Sequence, residues 1–284
     1  MFIKKHLSTI LLVLMLVTGL ALLLYPSFSN WWNSFHQSRA VSSYTEKVSH
    51  IADDEYEQML GEARRYNEEI SLTGIRWQLT DQEKEKYESL LDISGTGIMG
   101  YIEIPGIDVL LPVYHGTDEN VLQTAVGHLE GTSLPVGGEG SHCVLSGHRG
   151  LPSARLFTDL DRLTKGDTFL LNVLDEVLTY EVDQIRIVLP DDLSDLTIEE
   201  GRDYCTLVTC TPYGINTHRL LVRGRRIETR PGLSVRVAAD AMMVDRNLVA
   251  LAIGVPMLLI IIFFWLVMSG IRRRNLRKYR NPAL

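Results

Sequence analysis

Hydrophobic and polar positions divide the chain into two unbroken apolar runs near its ends and a patterned body between them. Residues 7–25 are 19 consecutive positions without a charge, and residues 248–271 are 24. Each meets the ~20 residues a helix needs to cross a bilayer. Neither has the polar face that a core helix of a soluble protein would show, and Pro256 in the second run is compatible with a helix in lipid. Between the runs, residues 34–70 are rich in helix formers such as Glu55, Glu57, Met59, Leu60, Ala63, Arg64 and Arg65, with Gly61 the weak point, and predict a helical stalk. Residues 71–79 interrupt it. Thr80-x-x-Glu83 has capping-box spacing and restarts a helix to about Leu91, with Tyr87, Leu90 and Leu91 on one face. Ser94-Gly95-Thr96-Gly97 stops that helix. From Ile98 the pattern becomes short apolar runs bounded by Gly, Pro and Asp, at residues 100–104, 109–114, 143–146, 168–173, 177–187, 206–209 and 219–223. Strands so closely spaced predict a mainly β domain, closed or nearly closed into an antiparallel-rich barrel.

Charge sharpens this picture. The chain has 28 Lys and Arg against 35 Asp and Glu, a net of −7. Residues 1–29 and 247–284 together hold eight of the bases and no acid, which leaves the middle with 20 bases against 35 acids, a net of −15. So acidic a body repels nucleic acid, and a nucleic-acid partner is excluded. Lys4-Lys5 before the first run and Arg272-Arg273-Arg274 after the second mark both flanks as cytoplasmic. The expected arrangement is two membrane spans, both termini inside, and the body outside the cell membrane. For the first run a cleavable signal peptide is the alternative, since Ser27-Phe28-Ser29 is a weak small-x-small site. The run exceeds the usual apolar length of about 7–15 residues in a signal, which favours a retained anchor.

The expected organisation is therefore a tip and anchor at 1–29, a helical stalk and lid region at 30–93, a catalytic barrel at 94–230, a linker at 231–246, and a second span with its basic tail at 247–284.

Three cysteines in an outward-facing domain leave at least one thiol unpaired. A β run ending Thr209-Cys210-Thr211-Pro212 delivers Cys210 to an open turn, and Arg219 begins the next strand nine residues on. Upstream, Ser146-Gly147-His148-Arg149-Gly150 presents His148 at another strand end. A free thiol is only a few per cent thiolate and needs a base or a positive neighbour. His148 is suited to take the thiol proton and return it to a leaving amine. Arg219 keeps its charge and offers a fork of donors to a developing oxyanion. From residue types alone, a buried structural cysteine, a turn histidine and a solvated arginine remain open as alternatives.

The stretch Thr206-Leu207-Val208-Thr209-Cys210-Thr211-Pro212-Tyr213-Gly214, continuing to Arg219-Leu220-Leu221-Val222-Arg223-Gly224, resembles the signature of the sortases, and is most similar to class C, the pilin-polymerising branch. Gly100-Tyr101-Ile102-Glu103-Ile104-Pro105, Pro112-Val113-Tyr114-His115-Gly116-Thr117, Gly127-His128-Leu129-Glu130-Gly131-Thr132 and Leu145-Ser146-Gly147-His148-Arg149-Gly150 follow in the family's order, so the resemblance covers roughly residues 80–228. The second apolar run with its basic tail also fits class C. The resemblance implies an eight-stranded sortase-like barrel with short helices, a monomeric catalytic domain, and no cofactor or metal. It assigns catalysis to Cys210, His148 and Arg219, with Thr209 orienting the acyl group. The implied reaction cleaves an LPxTG-like sorting signal between Thr and Gly through a thioacyl enzyme, then joins the acyl group to a lysine amine of another pilin subunit. The implied partners are pilins or surface proteins that bear such signals.

One departure concerns the lid. Class C enzymes often carry an Asp-Pro-aromatic plug, and residues 74–81 contain no Asp-Pro pair. Either Arg76 and Trp77 take the plug's place, or Trp77 packs the connector on the barrel. Cys143 lies five residues before His148, and Cys205 lies five before Cys210. Neighbouring strands pointing the same way would put these two cysteines side by side, about 4.8 Å apart and within disulfide reach. A disulfide and a pair of buried thiols both fit.

His115, His128, His142 and His218 follow no zinc spacing. Asp191-Asp192 reads as a solvated loop rather than a cation site. Three rival functions remain. One is a sortase that attaches surface proteins to the cell wall. A second is a non-enzymatic wall-anchored protein, which would need an LPxTG-like motif before the second span, and residues 230–246 contain none. A third is a tethered cysteine hydrolase, which would use water as acceptor.

Overall fold

The structure, a computed structural model, describes residues 2–229, with side chains from Leu11 onward, together with Leu258. The expected linker, second span and basic tail otherwise lie outside the described residues.

The first apolar run and the start of the stalk form one helix, α1 (Phe2–Val48). The boundary expected at residue 29 is a change of composition with no break in the backbone. Its N-terminal part is long and apolar enough to cross a membrane, with a mean hydropathy of 2.2. The stalk expected as a single helix over 34–70 is instead interrupted after Val48. There the Ser49 hydroxyl donates to the Glu46 carbonyl, and His50 Nδ1 also bonds that oxygen, each at 2.7 Å. Side chains that capture late carbonyls compete with helix continuation. α2 (Asp53–Thr73) restarts with Asp53, Asp54 and Glu55 in its first turn, where acids favour the helix dipole. α3 (Asp81–Ser89) opens on the predicted capping box: Thr80 Oγ1 accepts from Glu83 N–H, and Glu83 Oε2 accepts from Thr80 N–H at 2.8 Å. It ends slightly earlier than expected, yet Tyr87, Leu90 and Leu91 are all buried, as their spacing predicted.

Eight strands close the predicted barrel: β1 (Ile98–Ile104), β2 (Val109–His115), β3 (Val126–His128), β4 (Ser141–Ser146), β5 (Thr168–Val173), β6 (Glu176–Val188), β7 (Asp203–Thr211) and β8 (His218–Ile227). The order around the barrel is β1-β2-β3-β4-β7-β8-β6-β5. All contacts are antiparallel except β2–β3 and β4–β7. Three-residue β3 escaped the sequence reading because it is too short to show a period of two. A further short helix, α4 (Glu119–Leu122), precedes it. Ile102, Leu145, Phe169, Tyr180, Leu207 and Val222 fill the interior. α2 and α3 pack through Leu60, Ala63, Ile70, Tyr87 and Leu91 against Met99, Leu134 and Val173. α1 docks through Tyr44, whose hydroxyl donates to Met99 O at 2.9 Å and accepts from Leu174 N–H at 2.7 Å.

Candidate active site

The two strand ends singled out in the sequence meet because β4 and β7 run parallel and in register, from Ser141↔Asp203 to Ser146↔Val208. Side chains alternate across a strand. Cys143, Leu145, Cys205 and Leu207 point into the core, so Val144, Ser146, Thr206 and Val208 take the outer face. Cys210, two residues further along β7, shares that outer parity, and His148 follows two residues past the end of β4. Two bonds hold the strand ends together: Gly147 N–H donates to Val208 O at 3.1 Å, and the Thr209 hydroxyl donates to Gly147 O at 2.7 Å. Gly147 must be glycine here, since a Cβ would lie 2.7 Å from the Phe157 ring. Arg219 is the register partner of Cys210 across β7–β8, and it shares its face with Leu221. The outer floor beside the site is apolar, built from Val144, Leu196 and Leu221 with Leu129, Val188, Leu193 and Val208 against them.

The loops that leave these strands also touch. The Arg149 guanidinium lies 5.8 Å from the centre of the Tyr213 ring and pairs with Asp161. Gly150, at φ +78, faces the edge of the same ring, where a Cβ would come within 3.0 Å. The turn after His148 is thus packed on the turn after Cys210. His148 O accepts from Phe157 N–H at 3.1 Å, and His148 Nε2 lies 3.8 Å from Glu119 Oε2 at the start of α4. Cys210 is a free, part-buried thiol. The Arg219 guanidinium donates to the carbonyls of His218 at 3.2 Å and Asn216 at 3.4 Å, within its own turn.

The other singled-out residues fall as follows. The Thr209 hydroxyl is committed to Gly147, so this position bears on the site through the strand end that carries His148. Cys143 and Cys205 are register partners, as their spacing predicted, and both are free thiols rather than a disulfide. Burial opposes ionisation of both thiols and leaves Cys205 well above the ordinary thiol value, while Cys143 ends below it. The hydrogen bond from Cys205 favours Cys143 as the one that ionises first. Arg76 pairs with Glu69 and Glu83, and its N–H donates to Gly131 O at 3.2 Å, which pins the α2–α3 connector. Trp77 beside it is 42% exposed. His115 bonds the carbonyls of Leu90 and Gly97, and His218 Nδ1 lies 3.0 Å from the Thr217 hydroxyl. Asp192 accepts from Ser194 N–H and Oγ. Among the described residues no three His, Cys, Asp or Glu gather in a metal-binding group. Glu119 and Tyr213 were not singled out in the sequence. Both are brought to the site by long-range packing, which no local pattern announces.

A family model of the sortase domain matches residues 102–227. Sortase D of Bacillus subtilis (strain 168) is 34% identical over 151 residues, which are 52% of this chain and 72% of the relative. The structure of sortase C1 from Streptococcus agalactiae is 55% identical with a TM-score of 0.67, over 68% of this chain and all of that one. Sortase C of Clostridium perfringens, solved with the C-terminal cell wall sorting motif, is 46% identical with a TM-score of 0.60, over 67% of this chain and 99% of that one. One end of the barrel thus carries the free thiol of Cys210, with Arg219 opposite it on β8 and His148 just past the end of β4. The chain belongs to the sortase family of cysteine transpeptidases, and these structural neighbours are class C sortases.

Proposed function

We propose that this chain cleaves an LPxTG-like sorting signal between Thr and Gly and joins the freed acyl group to a lysine amine of another pilin subunit, at the outer face of the membrane in which α1 is anchored. The observation that carries this reading is the in-register meeting of three strands, with Cys210 opposite Arg219 and His148 two residues past the Ser146↔Val208 pair. The Cys210 thiolate attacks the Thr carbonyl carbon, and the oxyanion that forms is held by the Arg219 guanidinium. The C–N bond breaks as His148 gives its proton to the departing glycine amine, leaving a thioester on Cys210. The lysine amine then attacks the thioester. His148 takes up the proton, and an isopeptide bond replaces the C–S bond. Thr209 acts here as a positioning residue. Neighbours named sortase C1, at 41–55% identity and one of them from a pilus island, support pilin joining over wall attachment. The C-terminal cell wall sorting motif held by the Clostridium perfringens sortase C structure supports the substrate class.

The test combines the full chain with a purified pilin that bears a sorting signal. Covalent ladders are expected with wild type and none with Cys210→Ala, His148→Ala or Arg219→Ala. Release of the signal without any cross-linked product would instead make the enzyme a hydrolase.

A further inference from the structure

Three amide side chains on the part of α1 that follows the apolar run reach across to the loops around His148. Asn30, Asn33 and Gln37 are spaced i, i+3, i+7, which puts them on one helix face. Asn33 Nδ2 donates to Ser153 O at 2.9 Å. Asn30 Oδ1 accepts from Arg155 N–H at 2.9 Å. Gln37 Nε2 donates to Thr124 O at 2.7 Å. The first two bonds hold the irregular segment that leaves His148 and returns to it at Phe157, whose N–H donates to His148 O. The third holds the chain just past α4, whose first residue, Glu119, places its carboxylate 3.8 Å from His148 Nε2. Among the described residues, Ser153 O and Arg155 N–H have no other hydrogen-bond partner. The helix therefore braces both sides of the imidazole.

We propose that Asn30, Asn33 and Gln37 are positioning residues for His148, so that the helix carrying the membrane-spanning run is also a built part of the catalytic support. The proposal rests on the reading of His148 as the acid–base group. Proton transfer depends on donor and acceptor being held within a few tenths of an ångström, and a loop that loses its ties to α1 keeps fewer restraints on that geometry.

The experiment uses the full-length chain in lipid nanodiscs with a fluorogenic LPxTG-type peptide, and reads kcat, KM and melting temperature. Asn33→Ala and Asn33→Asp are both expected to lower kcat roughly two- to tenfold with little change in KM or melting temperature, because neither keeps the donor. Asn30→Ala is expected to do the same. Asn30→Asp keeps the acceptor and is expected to recover most of the loss. Hydrogen exchange over residues 150–156 should quicken in the damaging variants alone. An unchanged kcat in Asn30→Ala/Asn33→Ala would overturn the proposal. So would a fall in kcat that merely follows a fall in melting temperature. His148→Ala separates the two readings: if it retains activity, the assignment of His148 fails. If it is inactive while the double variant is fully active, only the bracing role fails.

Discussion

At the scale of single residues, hydrogen-bond chemistry fixes the state of several buried rings. His142, on the outer face of β4, has Nδ1 2.8 Å from the Thr197 carbonyl and Nε2 2.7 Å from the Thr206 hydroxyl. A carbonyl only accepts, so Nδ1 carries the proton and Nε2 accepts from Thr206. Burial pushes the pKa of this ring down, against the pull of the Thr197 carbonyl, and burial does the same to His115. An unfolded histidine titrates near 6.5. Below that value the unfolded chain binds protons that the folded one refuses, so the stability is complete above about pH 6.5 and is lost as pH falls through the lower folded value. The melting temperature is expected to drop between pH 7.5 and 5.5, and less steeply in His142→Gln. Parallel slopes for the two proteins would remove His142 from this account. The strand-end positions of Cys210, His148 and Arg219 were legible in the sequence because each sits in a short local pattern of β run and turn, whereas the roles proposed for them came from the resemblance to sortases. Glu119 was not, since its meaning depends on α4 folding back over a strand end that lies 29 residues further along the chain.

Among elements, α3 shows how much a nine-residue helix can hold. Its capping box and buried face were legible because both are written in spacings of three and four. Its task was not. The Tyr87 hydroxyl lies 2.8 Å from His128 Nδ1 and accepts from Gly116 N–H at 3.0 Å. His128 Nε2 faces the Ser133 carbonyl at 2.8 Å and so carries the ring proton, which leaves Nδ1 to accept from Tyr87. One phenol thus ties α3 to the end of β2 and to β3. β3 has only three residues and bridges a parallel and an antiparallel neighbour, so its stability comes from such ties more than from its own ladder. Tyr87→Phe keeps the packing but strands the Gly116 N–H and the His128 nitrogen. It is expected to cost about 1–3 kcal/mol in urea unfolding. A cost near zero would mean that both groups find other partners once the hydroxyl is gone.

For the whole molecule, the decisive feature is that α1 does not end where its apolar run ends. Composition drew a boundary at residue 29, because side-chain hydrophobicity changes there while the backbone bonds of α1 continue to Val48. Beyond the run, α1 is a component of the fold: Tyr44 is 1% exposed and packs with Val48 on Ile98. Two truncations separate tether from fold. A chain beginning at Pro26 lacks the apolar run and the six residues before it, and is expected to melt close to the full-length protein in detergent. A chain beginning at Ala52 loses Tyr44, with its bonds to Met99 and Leu174, and is expected to melt well below it. Tyr44→Ala in the longer chain should reproduce much of that loss, about 3–5 kcal/mol for a large buried aromatic side chain. Equal melting of the two truncated chains would show that the barrel and the later helices stand without α1.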